Sequence, residues 1–252
     1  RRVERVPLED ALGLVLAEDL RAPEPLPAFA RSGMDGYAVR SADTLGATVE
    51  QPAVLRPAGV IPAGHPQEAE LEPGTTAAIM TGGAVPPGAD AVIRLEEVRV
   101  TPEGVQVFRP VPPMENVAPV GEDVREGELI LEAGHPIRPQ EINLLAALGI
   151  LEVPVFARPR VGILSTGDEL VPLNQKPGPG QVRNSNSPGV AALVRAAGGF
   201  PIVLGMARDV TEVIAGVLRE SAGCDLVLTT GGVSVGRFDL VREALKIGRA
   251  HV

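Results

Sequence analysis

An apolar run that leads into a glycine-rich turn lies near the end of the chain: Leu226-Val227-Leu228-Thr229-Thr230-Gly231-Gly232-Val233-Ser234-Val235-Gly236. The run predicts a buried β-strand, and a helix is expected to open near Asp239. Glycines in such a turn let backbone N–H groups face an anion, and the helix N-terminus adds partial positive charge. Because the segment lacks the P-loop lysine and the dinucleotide-binding spacing, a plain strand-to-helix turn with positive φ explains it equally well.

The residues before this run alternate between apolar strands and helices. Strands are predicted at 161–164, 202–205 and 226–229, and helices at 188–197 and 210–221. This alternation predicts a parallel, doubly wound α/β sheet, whose ligands bind beyond the carboxyl ends of the strands. The segment 167–186, rich in Gly, Pro and Asn, is expected to be a long loop on that edge.

Acidic residues follow each predicted strand of this sheet. Asp168 and Glu169 follow the first strand, Asp209 the second and Asp239 the third. Carboxylates that converge from separate strand ends can hold a hard divalent cation, which in turn bridges phosphates. Taken singly, Asp209 and Asp239 could instead cap their helices, and Asp168 could shape a turn.

The front of the chain has short β-prone runs separated by Gly and Pro. We expect residues 1–157 to form a discontinuous α+β region, with a small β domain inserted at about 40–120 that contains a hairpin over 98–107. Further elements are expected as follows: a short helix at 7–13, a strand at 15–16, a helix at 138–149 and a strand at 152–156.

The expected fold class is therefore α/β: an elongated N-terminal α+β region with an inserted small β domain, followed by an incomplete doubly wound parallel-sheet domain at 158–246. Residues 247–252 are expected to break the final helix, and we interpret them as a non-native tail, with the natural protein continuing past about Leu245.

Three motifs in the front region place polar groups beside glycines. Asp35 precedes Gly36, Thr81 precedes a second Gly turn, and Asp123 ends a Gly-Glu-Asp sequence. Each could contribute to an anion or cation site. Each could also be an ordinary turn, and the acidic pair Glu122-Asp123 could be no more than solvated.

Composition excludes several function classes. The chain has 252 residues and a net charge of −9, with no evident basic patch, which argues against nucleic-acid binding. The longest apolar stretch, 144–156, is interrupted and shorter than the roughly 20 residues of a membrane span, and the start carries no signal-peptide features. The lone Cys224 and the three histidines show no metal-ligand spacing. We expect a cytoplasmic protein that binds neither nucleic acid nor membrane.

Six motifs, taken together, resemble one family: Ser-Gly-Met-Asp-Gly-Tyr-Ala (32–38), Ile-Met-Thr-Gly-Gly-Ala-Val-Pro-Pro-Gly-Ala-Asp-Ala-Val (79–92), Gly-Glu-Asp (121–123), Ser-Thr-Gly-Asp-Glu-Leu (165–170), Asn-Ser-Asn (184–186) and Thr-Gly-Gly-Val-Ser-Val-Gly (230–236). In order and spacing, residues 3–245 resemble the MoeA family of molybdopterin molybdenumtransferases and the homologous E domain of gephyrin. The 165–236 portion alone is less specific, because molybdopterin adenylyltransferases share it.

The resemblance implies a homodimer of elongated subunits that takes adenylylated molybdopterin and molybdate, releases AMP and places molybdenum on the dithiolene sulfurs, assisted by Mg²⁺. It also implies molybdopterin adenylyltransferase as a partner. The catalytic residues implied by motif position are Asp35, Thr81, Asp123, Glu169, Asp209 and Asp239; the first three would come from the partner subunit and the last three would also hold the metal. The implied cofactor-binding residues are Thr230, Gly231, Gly232, Ser234 and Asn186.

Two departures from the family pattern affect this expectation. Ala118 stands where many members carry an arginine, and a lysine-containing stretch with a following C-terminal β domain is absent. We therefore expect residues 1–252 alone to be inactive or nearly so. Two alternatives stay open: adenylylation of molybdopterin, and a non-catalytic scaffold of the gephyrin kind.

Overall fold

The computed structural model describes residues 2–231 and 240–249. The chain divides into two compact units, Val6–Val153 and a second unit made of Arg1–Arg5 with Pro154–Val252. No helix among the described residues is both long and apolar enough to cross a bilayer.

The first part of the chain contains twelve described strands and one α-helix. In chain order they are β1 (Val3–Pro7), β2 (Leu20–Arg21), β3 (Arg31–Ser32), β4 (Gly36–Val39), β5 (Ala53–Ile61), β6 (Thr75–Ile79), β7 (Ala91–Arg94), β8 (Val98–Thr101), β9 (Gly104–Val107), β10 (Val117–Ala118), β11 (Leu129–Leu131), α1 (Pro139–Ala147) and β12 (Glu152–Phe156).

A six-stranded sheet of order β7-β4-β6-β5-β9-β8 dominates the Val6–Val153 unit. Strand β4 runs antiparallel to β6 and β7, β5 is parallel to β6, and β8 and β9 form the predicted hairpin. Successive residues of a strand point to opposite faces, so Ala38 and Val39 enter two separate apolar cores. The six-stranded sheet thus has an apolar core on both of its faces.

Gly36 begins strand β4 at a point of very close backbone contact. A Cβ atom at this position would lie 2.0 Å from the Ile93 carbonyl oxygen on β7. Gly36 and Arg94 are paired across the two strands. Any side chain here would force the strands apart, so glycine is required by space and not by its backbone dihedrals.

Two of the predicted short elements near the start of the chain are wrong. The segment 7–13 holds only a 3-10 helix at Leu8–Asp10, because Pro7 is extended as the last residue of β1 and the Ala11 N–H bonds back to the Leu8 carbonyl oxygen, three residues away. Val15 makes an isolated bridge to Pro136 instead of belonging to a strand. The predicted helix at 138–149 is confirmed as α1, whose third residue, Glu141, accepts a hydrogen bond from the Arg138 backbone N–H at 2.9 Å.

The second part of the chain holds the predicted strand-helix alternation. Its elements are β13 (Arg160–Thr166), β14 (Leu170–Val171), β15 (Val182–Arg183), α2 (Asn186–Ala196), β16 (Phe200–Ala207), α3 (Thr211–Glu220), β17 (Leu226–Thr230) and α4 (Val241–Arg249). The expected long loop 167–186 contains the short parallel pair β14-β15. Helix α4 continues to Arg249, so the expectation that the helix breaks before Ile247 is wrong; residues 250–252 lie outside the described part.

Strands β16, β13 and β17 form a parallel sheet in that order. Side chains of β13 on one face pack against α2, and Leu164 on the other face packs against α3 and α4. Helices on both faces confirm the doubly wound sheet. Because the chain leaves β13 on one side for β16 and later arrives on the other side at β17, the strand order reverses next to β13. In such sheets ligands bind at this reversal, beyond the carboxyl ends of the strands.

Candidate functional site

A buried network of hydroxyl and amide groups lies at this reversal. The Ser165 hydroxyl, at the end of β13 and fully buried, contacts Asn184 Oδ1 at 3.0 Å, Ser187 Oγ at 2.9 Å and Thr230 Oγ1 at 2.8 Å. Asn184 Nδ2 also donates to Ser187 Oγ at 2.9 Å. Ser165 thereby joins the first strand, the turn before α2 and the end of β17.

The backbone of Gly231, directly after β17, lies against β13. Gly231 has a φ of +89°, and a Cβ atom there would come 2.5 Å from the Thr166 carbonyl oxygen. Thr166 is 4% exposed, and its hydroxyl has no hydrogen-bond partner within the part of the chain that the structure describes. Only glycine fits at 231, where the backbone approaches β13 closely.

Two of the predicted carboxylate positions come together at the carboxyl edge. Asp168 Oδ1 accepts hydrogen bonds from Arg208 Nε at 3.3 Å and from the Asp209 backbone N–H at 3.4 Å. The ends of β13 and β16 are thus adjacent. Glu169 turns back over Gly167, where a Cβ atom would lie 2.5 Å from its carboxylate.

The predicted metal and cofactor residues are only partly covered by the structure. Asp239, Gly232 and Ser234 lie outside the described residues. Asn186, the first residue of α2, is exposed. No group of three or more His, Cys, Asp or Glu side chains suited to a metal ion occurs within residues 2–231 and 240–249.

Asp35 and Thr81 meet in the β-rich unit, at an open cleft of about 390 Å³. Asp35 Oδ1 accepts hydrogen bonds from the Thr81 backbone N–H and from the Thr81 hydroxyl, both at 2.7 Å. These bonds lower the pKa of Asp35 below its ordinary value, the backbone bond most. Asp35 is therefore held ionised.

The rest of that cleft carries charges of both signs. It is lined further by Met34, Arg94, Glu96 and Glu97. Glu97 accepts a hydrogen bond from Arg109 Nη2 at 2.8 Å, so part of the acidic charge is already balanced from outside the cleft. Sequence reasoning missed Arg94; its position at the end of β7, opposite Gly36, becomes apparent only from the strand register.

Asp123 lies at a different cleft, of about 560 Å³, in a strongly acidic loop. It forms a long ion pair of 3.6 Å with Arg31 on β3. Arg31 is in turn the cross-strand neighbour of Ala118 on β10. Arg31 thus places a positive charge beside Asp123, from the strand that pairs with the Ala118 strand. The sequence did not predict this neighbour.

Family models match both parts of the chain. Residues 1–149 match the model described as MoeA N-terminal region (domain I and II), and residues 162–249 match a probable molybdopterin binding domain. The chain belongs to the MoeA family.

The sequence is similar over nearly its whole length to other members of the MoeA family. It is 41% identical over 240 residues to molybdopterin molybdenumtransferase 2 of Mycobacterium tuberculosis, covering 95% of this chain and 59% of that protein. It is 40% identical over 243 residues to molybdopterin molybdenumtransferase of Bacillus subtilis, covering 94% of this chain and 56% of the relative. This MoeA-family chain therefore spans less than two thirds of their length.

Solved MoeA structures have the same fold. A crystal structure of a molybdopterin biosynthesis MoeA protein from Pyrococcus horikoshii superposes with a TM-score of 0.87 at 34% identity, covering 98% of this chain and 62% of that one. A second structure from the same organism gives 0.82 at 39% identity, covering 91% and 62%. The resemblance to the MoeA family and the fold class inferred from the sequence motifs are thereby confirmed.

Proposed function

We propose that this MoeA-family protein, at full length, is a molybdopterin molybdenumtransferase of molybdenum cofactor biosynthesis. It would insert molybdenum from molybdate into adenylylated molybdopterin and release AMP. The observation that supports this most is the hydroxyl network around Ser165 at the strand-order reversal, next to the Gly231 turn. It lies within the segment that matches a probable molybdopterin binding domain.

The match over residues 1–149 favours the transferase over molybdopterin adenylylation, since that match is to the MoeA N-terminal region. Thr230 and Gly231, with Gly232, Ser234 and Asn186, would bind the pterin and its phosphate. Backbone N–H groups of a glycine-rich turn suit an oxyanion because they carry partial positive charge.

The residues at the carboxyl edge suit Mg²⁺ by their chemistry. Asp209 and Glu169 offer only oxygen donors, which is the ligand type that Mg²⁺ takes, and the Asp168–Asp209 contact brings the ends of β13 and β16 together. Glu169, Asp209 and Asp239 would hold the cation. When bound, it would offset the negative charge of the phosphoanhydride during its cleavage.

Asp35, Thr81 and Asp123 would complete the site from the second subunit of a homodimer. The ionised Asp35 carboxylate has one oxygen occupied by Thr81, and it can hold a water molecule or a ligand N–H with the other. Arg31 beside Asp123 would supply positive charge where Ala118 supplies none. We also propose a cytoplasmic location and molybdopterin adenylyltransferase as the partner that delivers the substrate.

Complementation of a strain that lacks the transferase tests this function. The full gene should restore molybdoenzyme activity, and Asp209→Ala should lower the rescue at least tenfold through loss of charge at the edge. Glu220→Ala is the matched control, since this exposed acid ends α3 at the other end of the helix and should rescue fully. Undiminished rescue by Asp209→Ala would remove the proposed role, and ATP-dependent adenylylation by the full-length protein would favour the adenylyltransferase instead.

A further inference from the structure

The direction of every hydrogen bond around Ser165 can be assigned from donor and acceptor chemistry. The Ser187 backbone N–H donates to Asn184 Oδ1 at 3.2 Å, which identifies that atom as the amide oxygen. An amide oxygen has no proton, so the contact of 3.0 Å between Ser165 Oγ and Asn184 Oδ1 must use the Ser165 proton. Ser165 has no other proton to donate.

The two remaining partners of Ser165 must therefore donate to it. A hydroxyl oxygen has two lone pairs, and Ser165 has two further contacts, to Ser187 Oγ at 2.9 Å and to Thr230 Oγ1 at 2.8 Å. Ser187 keeps its own proton for this bond, because its contact with Asn184 Nδ2 uses only a lone pair of the Ser187 oxygen. The Thr230 proton is likewise directed inward to Ser165, and the hydrogen-bonding capacity of Ser165 is then full.

Thr230 differs from the other members because it is only partly buried, whereas Ser165, Asn184 and Ser187 are 0%, 8% and 5% exposed. Its hydroxyl stands at the carboxyl end of β17, just before the Gly231 turn. With its proton used, the hydroxyl offers only lone pairs to a ligand. It can accept a hydrogen bond and cannot donate one.

We propose that Thr230 recognises an N–H donor of the ligand, and that it gives no hydrogen bond to phosphate or molybdate oxygens. Within the proposed function, on which this inference rests, such a donor is an amine or ring N–H of the pterin, and the oxyanion of the ligand is bound by groups other than the Thr230 hydroxyl. The Ser165 network would act as a positioning device that fixes the polarity of Thr230, since replacing the acceptor at 165 would let the Thr230 proton turn outward.

Calorimetric binding of two probes to the full-length protein tests this assignment. Hydroxymethylpterin carries N–H donors, and sulfate is a tetrahedral oxyanion without any proton. Thr230→Val should weaken hydroxymethylpterin binding about fivefold, the effect of one hydrogen bond, and leave sulfate binding within about twofold. Thr229→Val, the same change on the opposite face of β17, should alter neither.

Ser165→Ala gives the converse result. The freed Thr230 hydroxyl can then donate, so sulfate binding should strengthen about fivefold while hydroxymethylpterin binding is kept. Weaker sulfate binding by Thr230→Val, or unchanged hydroxymethylpterin binding by that variant, would overturn the assignment.

Neutron diffraction from deuterium-exchanged crystals of the full-length protein separates this inference from the proposed function. The deuteron of Thr230 should lie on the line to Ser165 Oγ, and a deuteron that points away from Ser165 refutes the assigned polarity. If the wild-type protein binds no pterin, the proposed function and its ligand fail, while the deuteron position still decides what Thr230 can offer.

Discussion

The Ser165 network and the Asp35–Thr81 pair hold their polar groups in two different ways. The network is neutral and centred on Ser165, which is buried and has its hydrogen-bonding capacity full, so contacts within the chain fix its geometry. The pair is charged and exposed, and Thr81 occupies only one carboxylate oxygen. The two clusters therefore differ in what they fix. In the α/β unit, burial fixes the direction of the hydroxyl and amide groups, whereas the β-rich unit presents the charged Asp35 carboxylate to solvent.

Removing Asn184 from the network should produce the largest effect. Asn184→Ala leaves the Ser165 hydroxyl and the Ser187 backbone N–H without acceptors in a buried place, and each such loss costs about 1–3 kcal/mol. We expect the free energy of unfolding of the α/β unit to fall by about 3 kcal/mol, measured by native-state hydrogen exchange of the β13 and β17 amides. Asn186→Ala changes an exposed residue two positions further on, and it should change that free energy by less than about 0.5 kcal/mol. Equal effects of the two changes would show that burial does not fix this network.

Asp35→Asn should affect activity and leave stability unchanged. The variant keeps the shape of the side chain and the Thr81 contacts but removes the charge. We expect the proposed molybdenum transfer by the full-length protein to fall about a hundredfold, the scale of losing one positioned acid-base group. Thermal unfolding should not shift, because Asp35 is exposed. Normal turnover by Asp35→Asn would mean that the motif around Asp35 merely forms a turn.

The pH dependence of activity should show a smaller effect of the same pair. Hydrogen bonds from Thr81 lower the pKa of Asp35 below 3.8, so the carboxylate is ionised above that pH and its contribution is lost only as pH falls through the lowered value. Thr81→Val removes the hydroxyl donor and should move the acid limb of the pH–rate profile upward. The Thr81 backbone N–H remains in the variant, so the shift should stop short of the ordinary value. A downward shift would contradict this account.

A lowered pKa alone does not identify a site, as Glu141 shows. Hydrogen bonds from Arg138 first, and from His135, lower the pKa of Glu141 to about 2 against an ordinary value of 4.5. The side chain is buried at the start of α1 and its oxygens are already taken by these partners. Asp35 shares the direction of the shift but keeps an exposed oxygen, and this exposure separates a candidate site from a helix cap.

The sequence predicted the elements whose patterns are local. The strand at 161–164 and the helices at 188–197 and 210–221 follow from apolar periodicity, because each pattern is contained in one short stretch of consecutive residues. The hub role of Ser165 could not be predicted, since Asn184 reaches it from 19 residues away and Thr230 from 65. The pairing of β14 with β15 inside the expected loop was also missed, because two-residue strands leave no periodic pattern.

The contact between Gly36 and the Ile93 carbonyl oxygen also constrains how the protein can change. A slip of β4 by one residue would bring Asp35 or Tyr37 opposite that oxygen, where a Cβ atom has no room. Excluded volume therefore locks the alignment of β4 with β7, and with it the direction in which the Asp35 carboxylate leaves the sheet. Substitution can therefore change the side chain at position 35, but it cannot shift that position relative to β7.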